Sequence, residues 1–321
     1  DVRTEAVESL GERPEPRAFD ILVRIAWDDG DSQVQVQAVE TMGETRDARA
    51  PRELERVIRD HTRTEVRREA VETLGELDDP SAVLPILRRI VEQDASSDVR
   101  REAIETIGEL QTGPSRDALK DYARSGRDSE VRREAIETLA DQGEHEDVMT
   151  LLMGIINGSA EENDQAVAVE QLAEVEDGRV VARLTDIATT HPSQRVRRVA
   201  VEELGDVDES GARDALLRII GSHAEPSIRR LAVESFSESA SPAEVIKQMR
   251  ALLNSSNEHE LQAQALEALE DLDDGQGIPA IIEVARTHAN RDLRRKALDV
   301  LSDSDDPRAH KEVARILEGK K

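Results

Sequence analysis

The sequence predicts an all-α protein, a solenoid of about ten two-helix repeats. Three observations carry that prediction: a twelve-residue pattern that returns every 32 or 33 residues, helix-type apolar periodicity within and between its copies, and a composition too poor in large apolar side chains for a thick interior. The pattern reads VRREAVETLGEL at Val66; aligned on its first residue, it recurs at Val2, Val34, Val66, Val99, Val131, Asp164, Val196, Ile228, Leu261 and Leu293. A short fixed period overrides the usual reading of 321 residues as two or so globular domains. With 37% apolar residues, 35% charged ones, one Trp, one Tyr and two Phe, the core must be thin and elongated. The whole chain, 1–321, reads as a single array, and because it opens on a helical pattern with no helix before it, as a fragment of something longer.

The recurring segment is helix B of each repeat. Helix A is the second apolar stretch between copies, such as PSAVLPILRRIVEQ after Asp79, GARDALLRIIGSH from Gly211 and PRAHKEVARILEG from Pro307. Asp79-Pro80, Ser241-Pro242, Asp306-Pro307 and Gly113-Pro114 place a capping residue or turn before a proline at the first helical position. Strand signals are absent. Each helix has one apolar stripe, and an isolated pair cannot bury it, so neighbouring pairs must stack.

At about 100° per residue from the first helix B position, the always-apolar places +4 (Ala70), +5 (Val71) and +8 (Leu74) span about 40–140° and face the core. Glycines recur at +9 (Gly11, Gly43, Gly75, Gly108, Gly205), where they allow close helix approach or a C-terminal turn. The +1 place lies in the middle of the apolar arc, yet it is arginine in seven repeats: Arg3, Arg67, Arg100, Arg132, Arg197, Arg229 and Arg294. A desolvated lone guanidinium is too costly, so these arginines are expected to form a structural ladder to carboxylates at helix B starts, namely Asp1, Glu65, Asp98, Glu130, Glu260 and Asp292. The ladder lapses to glutamine at Gln35, Gln165 and Gln262. In the repeat of Gln165 the leading Val is replaced by Asp164, which marks the least regular packing point and a bend.

The formal charge is -27, from 43 basic and 70 acidic residues, and it repels phosphate backbones and anionic lipid heads. Nucleic acid is therefore not an expected partner. No apolar run approaches the roughly 18 residues that a membrane span needs, so no membrane insertion is expected of this fragment. The absence of cysteine removes disulfides, thiolate metal sites and Cys nucleophiles but leaves the compartment, cytoplasm or periplasm, open. The carboxylate-rich, lysine-poor surface also suits a salt-adapted or GC-rich organism.

V-R-x-x-A-[VI]-E-x-L-G-E-L followed by an Asp-Pro turn resembles the bacterial HEAT-like repeats first associated with phycobilisome lyases, over practically the whole chain. The resemblance implies a right-handed superhelix and leaves function open, because similar proteins include scaffolds, lyase subunits, DNA repair enzymes, a metal hydroxylase and regulatory tails of membrane proteins. In the hydroxylase, His-Glu pairs at +2 and +3 of helix B hold two irons; here those places read Arg68-Glu69, Arg101-Glu102 and Arg133-Glu134. The glycosylases of this fold need a basic channel and aromatics, whereas this chain is acidic with one tryptophan, Trp27, wedged at the end of its helix A. No cofactor, metal or catalytic residue is expected.

Two helix B columns are acidic in every repeat, at +6 and +10, both about 240–280° round the helix and away from the core. From the second repeat to the seventh they comprise Glu40, Glu44, Glu72, Glu76, Glu105, Glu109, Glu137, Asp141, Glu170, Glu174, Glu202 and Asp206, with rungs about 10 Å apart. Like charges at i and i+4 cost roughly 0.2–0.5 kcal/mol, and acids near a helix C-terminus oppose the macrodipole. The arginines at +2, each four residues before a +6 acid, offer partial neutralisation. The expected function is a non-catalytic scaffold that receives a basic segment of another protein along this ridge. The alternatives are a structural spacer, a regulatory or sensor tail of a larger membrane-anchored protein, or a bilin-lyase-like subunit. Four histidines, His61, His191, His223 and His288, each stand five residues before a helix B start, where a partly charged imidazole would favour the last carbonyls of helix A.

Overall fold

The structure, a computed structural model, describes residues 2–11, 16–142, 145–207, 210–222, 224–256 and 258–318. Among the described residues there are twenty α-helices, one short 3-10 turn at Asp273–Gly275 and no strand. The chain forms two compact units, Asp1–Gln171 and Leu172–Lys321. Their boundary falls inside α11 (Glu162–Ala173), the helix B that carries Asp164 and Gln165.

In the first unit the helices of type B are α1 (Val2–Gly11), α3 (Ser32–Glu44), α5 (Thr64–Gly75), α7 (Ser97–Glu109) and α9 (Ser129–Gln142). Those of type A are α2 (Pro16–Asp28), α4 (Ala50–Asp60), α6 (Pro80–Gln93), α8 (Gly113–Ser125) and α10 (His145–Ile156). Helices α2, α4, α6 and α8 each pack on the helix B that follows, and the B helices pack on one another in succession. The second unit repeats the scheme with A helices α12 (Val180–Thr190), α14 (Ser210–Ile220), α16 (Pro242–Ser255), α18 (Ile278–Thr287) and α20 (Pro307–Leu317). Its B helices are α13 (Gln194–Asp206), α15 (Pro226–Ser239), α17 (His259–Glu270) and α19 (Arg291–Asp303).

The apolar arc is where the periodicity places it. Ala70, Val71 and Leu74 of α5, Ala103, Ile104 and Ile107 of α7, and Ala200, Val201 and Leu204 of α13 expose no surface. At about 1.5–3 kcal/mol for each larger aliphatic side chain buried, this stripe supplies the main stabilisation that a single hairpin lacks.

Helix starts follow local capping chemistry. The Asp79 carboxylate accepts the N–H groups of Ser81 and Ala82, Ser241 and Glu244 form a reciprocal capping box, and Asp306 accepts the Arg308 N–H. At α8 the cap is Thr112 and not Gly113, which has no side-chain acceptor. The Thr112 hydroxyl accepts the Ser115 N–H at 3.1 Å, and the Ser115 hydroxyl accepts the Thr112 N–H at 3.0 Å.

The +9 glycines let successive B helices approach. A Cβ added at Gly11 would stand 2.6 Å from the Thr41 methyl carbon, and at Gly43 and Gly75 it would collide with the methyls of Thr73 and Thr106. Each of these threonines occupies the +7 place of the next helix B. We expect Gly75→Ala to destabilise the protein by about 1–3 kcal/mol through overpacking. Thr106→Ser should relieve most of that loss in the double variant, because it removes the colliding methyl and keeps the hydroxyl that donates to the Glu102 carbonyl. Thermal unfolding of the two single variants and the double variant reads the coupling; additive effects would mean that the two residues do not touch.

Candidate functional site

Five of the seven +1 arginines, Arg67, Arg100, Arg132, Arg197 and Arg229, are seen to do two things at once. Arg67 donates from Nε to the Ile58 carbonyl near the end of α4, 2.7 Å away, and pairs with Asp94 in the loop before α7. Arg229 repeats this with the Ile220 carbonyl at 2.8 Å and Glu258 at 2.6 Å. Arg100 reaches the Asp94 carbonyl and Asp128, and Arg197 reaches the His191 carbonyl and Glu225. Arg132 donates to the Gly126 carbonyl and pairs with Glu161 and Asp164 at 2.8 and 2.6 Å. Arg3 pairs with Asp29, and Arg294 donates to the His288 and Ala289 carbonyls. Thus in every repeat but that of Arg3 the guanidinium donates to carbonyls at the C-terminal end of helix A in its own repeat, and wherever a carboxylate pairs with it, that acid belongs to the repeat that follows.

The acceptors differ from those expected at helix B starts. They lie mostly in the loop ahead of the helix, because the arginine runs through the seam beneath that loop, whereas Glu65, Asp98, Glu130, Glu260 and Asp292 are exposed at the helix surface. Glu130 stands 3.9 Å from Arg100, farther than Asp128 at 3.0 Å. Asp1 lies outside the described residues. Where the column is glutamine, the capping half of the role survives without the charge: Gln35 donates to the Trp27 carbonyl, Gln165 to that of Gly158 and Gln262 to that of Ser256. Asp164, the acid in place of a core Val, is only 2% exposed because it is an acceptor for Arg132.

Of the twelve ridge carboxylates, Glu40, Glu44, Glu72, Glu76, Glu109, Asp141, Glu170, Glu174, Glu202 and Asp206 are exposed, while Glu105 and Glu137 are half-buried. Glu12, an earlier member of the +10 column, lies outside the described residues. Neutralisation within one helix occurs at Arg198–Glu202, 3.5 Å apart. Arg68 and Arg101 instead cross to the next helix B, pairing with Glu102 at 2.6 Å and Glu134 at 3.7 Å. The close glycine-mediated approach brings the +3 acid of the following repeat within their reach.

Glu69, Glu102 and Glu134 form a third acidic column at +3, deeper than the two read from the sequence; Glu102 is only 7% exposed. Its signal was the triplet Arg-Arg-Glu at the same place in three repeats, 67–69, 100–102 and 132–134. Burial pushes Glu69 up to about 7, and the charges of Glu72, Glu40 and Glu76 add to the shift. Glu134 is also pushed up to about 7, first by burial and then by its neighbours Glu105 and Glu137. Burial raises Glu102 despite Arg68, and it is the main cause of the upward shifts of Glu109 and Glu137.

His61, His191 and His288 close α4, α12 and α18. Their Nδ1 atoms accept the N–H of the residue two places on, Arg63, Ser193 and Asn290, at 3.1–3.2 Å. A ring whose Nδ1 accepts carries its proton on Nε2. In His288 that Nε2 lies 3.1 Å from the Leu253 carbonyl of α16, so the ring links successive A helices. Burial holds His61 below the usual imidazole range. His223 lies outside the described residues. Trp27, at the end of α2, packs its ring against His61 with Arg56 over its face. Among the described residues no three His, Asp or Glu side chains are placed to hold a metal ion, and no helix is long and apolar enough to cross a membrane.

The family model for HEAT repeats matches residues 1–64, 51–140, 84–173, 148–237 and 181–270. No curated protein matches the sequence. Among solved structures, human deoxyhypusine hydroxylase is 19% identical over 79% of this chain and 95% of its own, with a TM-score of 0.33. The CpcE–CpcF complex of phycocyanin lyase from Nostoc sp. PCC7120 is 20% identical over 73% of this chain and 94% of its own, with a TM-score of 0.34. YibA of E. coli is 14% identical over 84% and 96%, with a TM-score of 0.41.

The shifted carboxyls give stability a pH dependence with a definite sign. Glu69 and Glu134 bind protons in the folded chain near pH 7 but in the unfolded chain only near 4.5, so they add stability as pH falls through that window. His61 acts oppositely, losing stability below about 6.5 as the unfolded imidazole takes up its proton. We therefore expect Glu69→Gln with Glu134→Gln to raise the melting temperature at pH 8 and to leave it nearly unchanged at about pH 3.5, below both the folded and the unfolded values. Equal shifts at both pH values in a calorimetric series would contradict the assignment.

Proposed function

We propose, from the premise that this chain belongs to the HEAT-repeat family, that it is a non-catalytic protein-interaction scaffold whose helix B ridge receives a basic segment of a partner protein. The observation that carries this reading is the half-buried carboxylates packed against one another on consecutive B helices. Glu69, Glu105, Glu134 and Glu137 repel their neighbours and are partly desolvated, an arrangement that disfavours the free protein at neutral pH. Cationic side chains laid along the ridge relieve the repulsion, and a line of rungs suits an extended segment better than a small molecule. Arg68 and Arg101, standing where the iron-binding histidines of the hydroxylase would be, are engaged with Glu102 and Glu134, which supports a scaffold over that chemistry.

An arginine-rich peptide tests the ridge. Glu72→Arg, Glu105→Arg and Glu137→Arg together should weaken its binding at least about tenfold, whereas the charge-matched reversal of Asp60, Glu92 and Asp121 on A helices should have a much smaller effect. Equal losses in the two triple variants would reduce the interaction to net charge and remove the ridge from it. Affinity for the same peptide should also rise between pH 6 and 8, as Glu69 and Glu134 give up their protons. Isothermal titration in two buffers of different ionisation enthalpy should show proton release on binding.

A further inference from the structure

A groove of the first unit carries a stripe of cations along one wall. It runs between α8 and α10 as two adjoining cavities of about 320 and 440 Å³ that share Lys120, Asp147 and Leu151. Arg116, Lys120 and Arg124 line it from α8 at i, i+4 and i+8, so they form one stripe about 12 Å long. Among the described residues these three cations have no ion-pair partner, although Asp141 and Asp147 also line the groove. The floor is apolar, made by Leu119, Leu139, Leu151 and Ile155. The α10 wall is low at Gly154, where an added Cβ would meet nothing within 4 Å.

We propose that this groove seats an acidic amphipathic helix of a partner protein. Three cations at helical spacing match carboxylates at i, i+4 and i+8 on a helix laid alongside α8, and its adjoining apolar stripe covers the leucine floor. The low wall at Gly154 lets the helix approach to the 8–10 Å typical of packed helices. In a chain of net charge -27 the general field opposes an acidic ligand, so recognition here must come from the local stripe and the shape of the groove. This inference does not depend on the helix B ridge, which takes the opposite charge and shares only Asp141 with the groove.

The test uses the full chain and two designed 16-residue helical peptides, one with Glu at i, i+4 and i+8 beside a leucine stripe, the other with Gln at those three places. Fluorescence anisotropy should show the Glu peptide binding at least about tenfold tighter than the Gln peptide. Arg116→Glu with Lys120→Glu and Arg124→Glu should abolish that preference. Gly154→Phe, which fills the groove without changing charge and improves helix propensity, should weaken both peptides, with circular dichroism confirming that it folds. Three outcomes would overturn the proposal: no binding of the Glu peptide, equal binding to the Gly154→Phe variant, or self-association in ultracentrifugation that Lys120→Glu abolishes, which would make the occupant a second copy of this chain.

Discussion

Everything in this protein depends on burying an apolar stripe that one helical hairpin cannot bury alone. Each pair leaves Ala, Val and Leu at the +4, +5 and +8 places of helix B open until another pair covers them. The cover must come close, and the contact of Gly43 with Thr73 and of Gly75 with Thr106 shows how close. Side chains that share this seam must fit one another along it, which is why the +4 place is alanine in every repeat and why glycine at +9 faces the threonine methyl at +7 of the next helix B where both occur.

The same proximity creates the electrostatic pattern. At the inward-facing +1 place of helix B the seam leaves little room to solvate a charge, yet the C-terminal carbonyls of helix A at that edge need donors. The +1 arginine resolves both demands by lying in the seam, donating to those carbonyls and pairing with an acid of the next repeat. The side chains of Arg67 and Arg100 are only 16% and 9% exposed, so each pair is a commitment: loss of one partner leaves a buried charge, a defect worth about 3–5 kcal/mol. Glutamine in three repeats shows that the carbonyls are the more general requirement and the ion pair the additional one. On the opposite edge of helix B, the close approach forces acids of successive helices together and moves Glu69 and Glu134 into the neutral range.

The two surfaces of the first unit therefore differ in origin. The ridge on the B helices arises from packing, because its half-buried acids are held where the seam puts them. The groove between α8 and α10 arises from the long side chains of one A helix facing a glycine on the next. One accumulates negative charge, and the other lines up three cations along one wall beside Asp141 and Asp147, so a single repeat stack presents two chemically distinct features.

Periodicity alone determined the helices, the buried arc and the columns, because a 3.6-residue helix converts spacing in sequence directly into direction in space. It identified Arg67 and its six equivalents as anomalous, since charge within an apolar arc is visible without coordinates. It could not identify their partners, which stand in loops whose path depends on how one pair sits on the next; the acid was Asp94 and not Asp98. The +3 acids were overlooked for a related reason. Their angle on an isolated helix looks solvated, and only the neighbouring helix, drawn in over a glycine, buries them. The protonation state of His61 likewise needed the Arg63 N–H that points at its Nδ1. Direction around a helix is a property of the chain, but burial and pairing between helices are properties of distance across the seam, and that distance is set by tertiary packing.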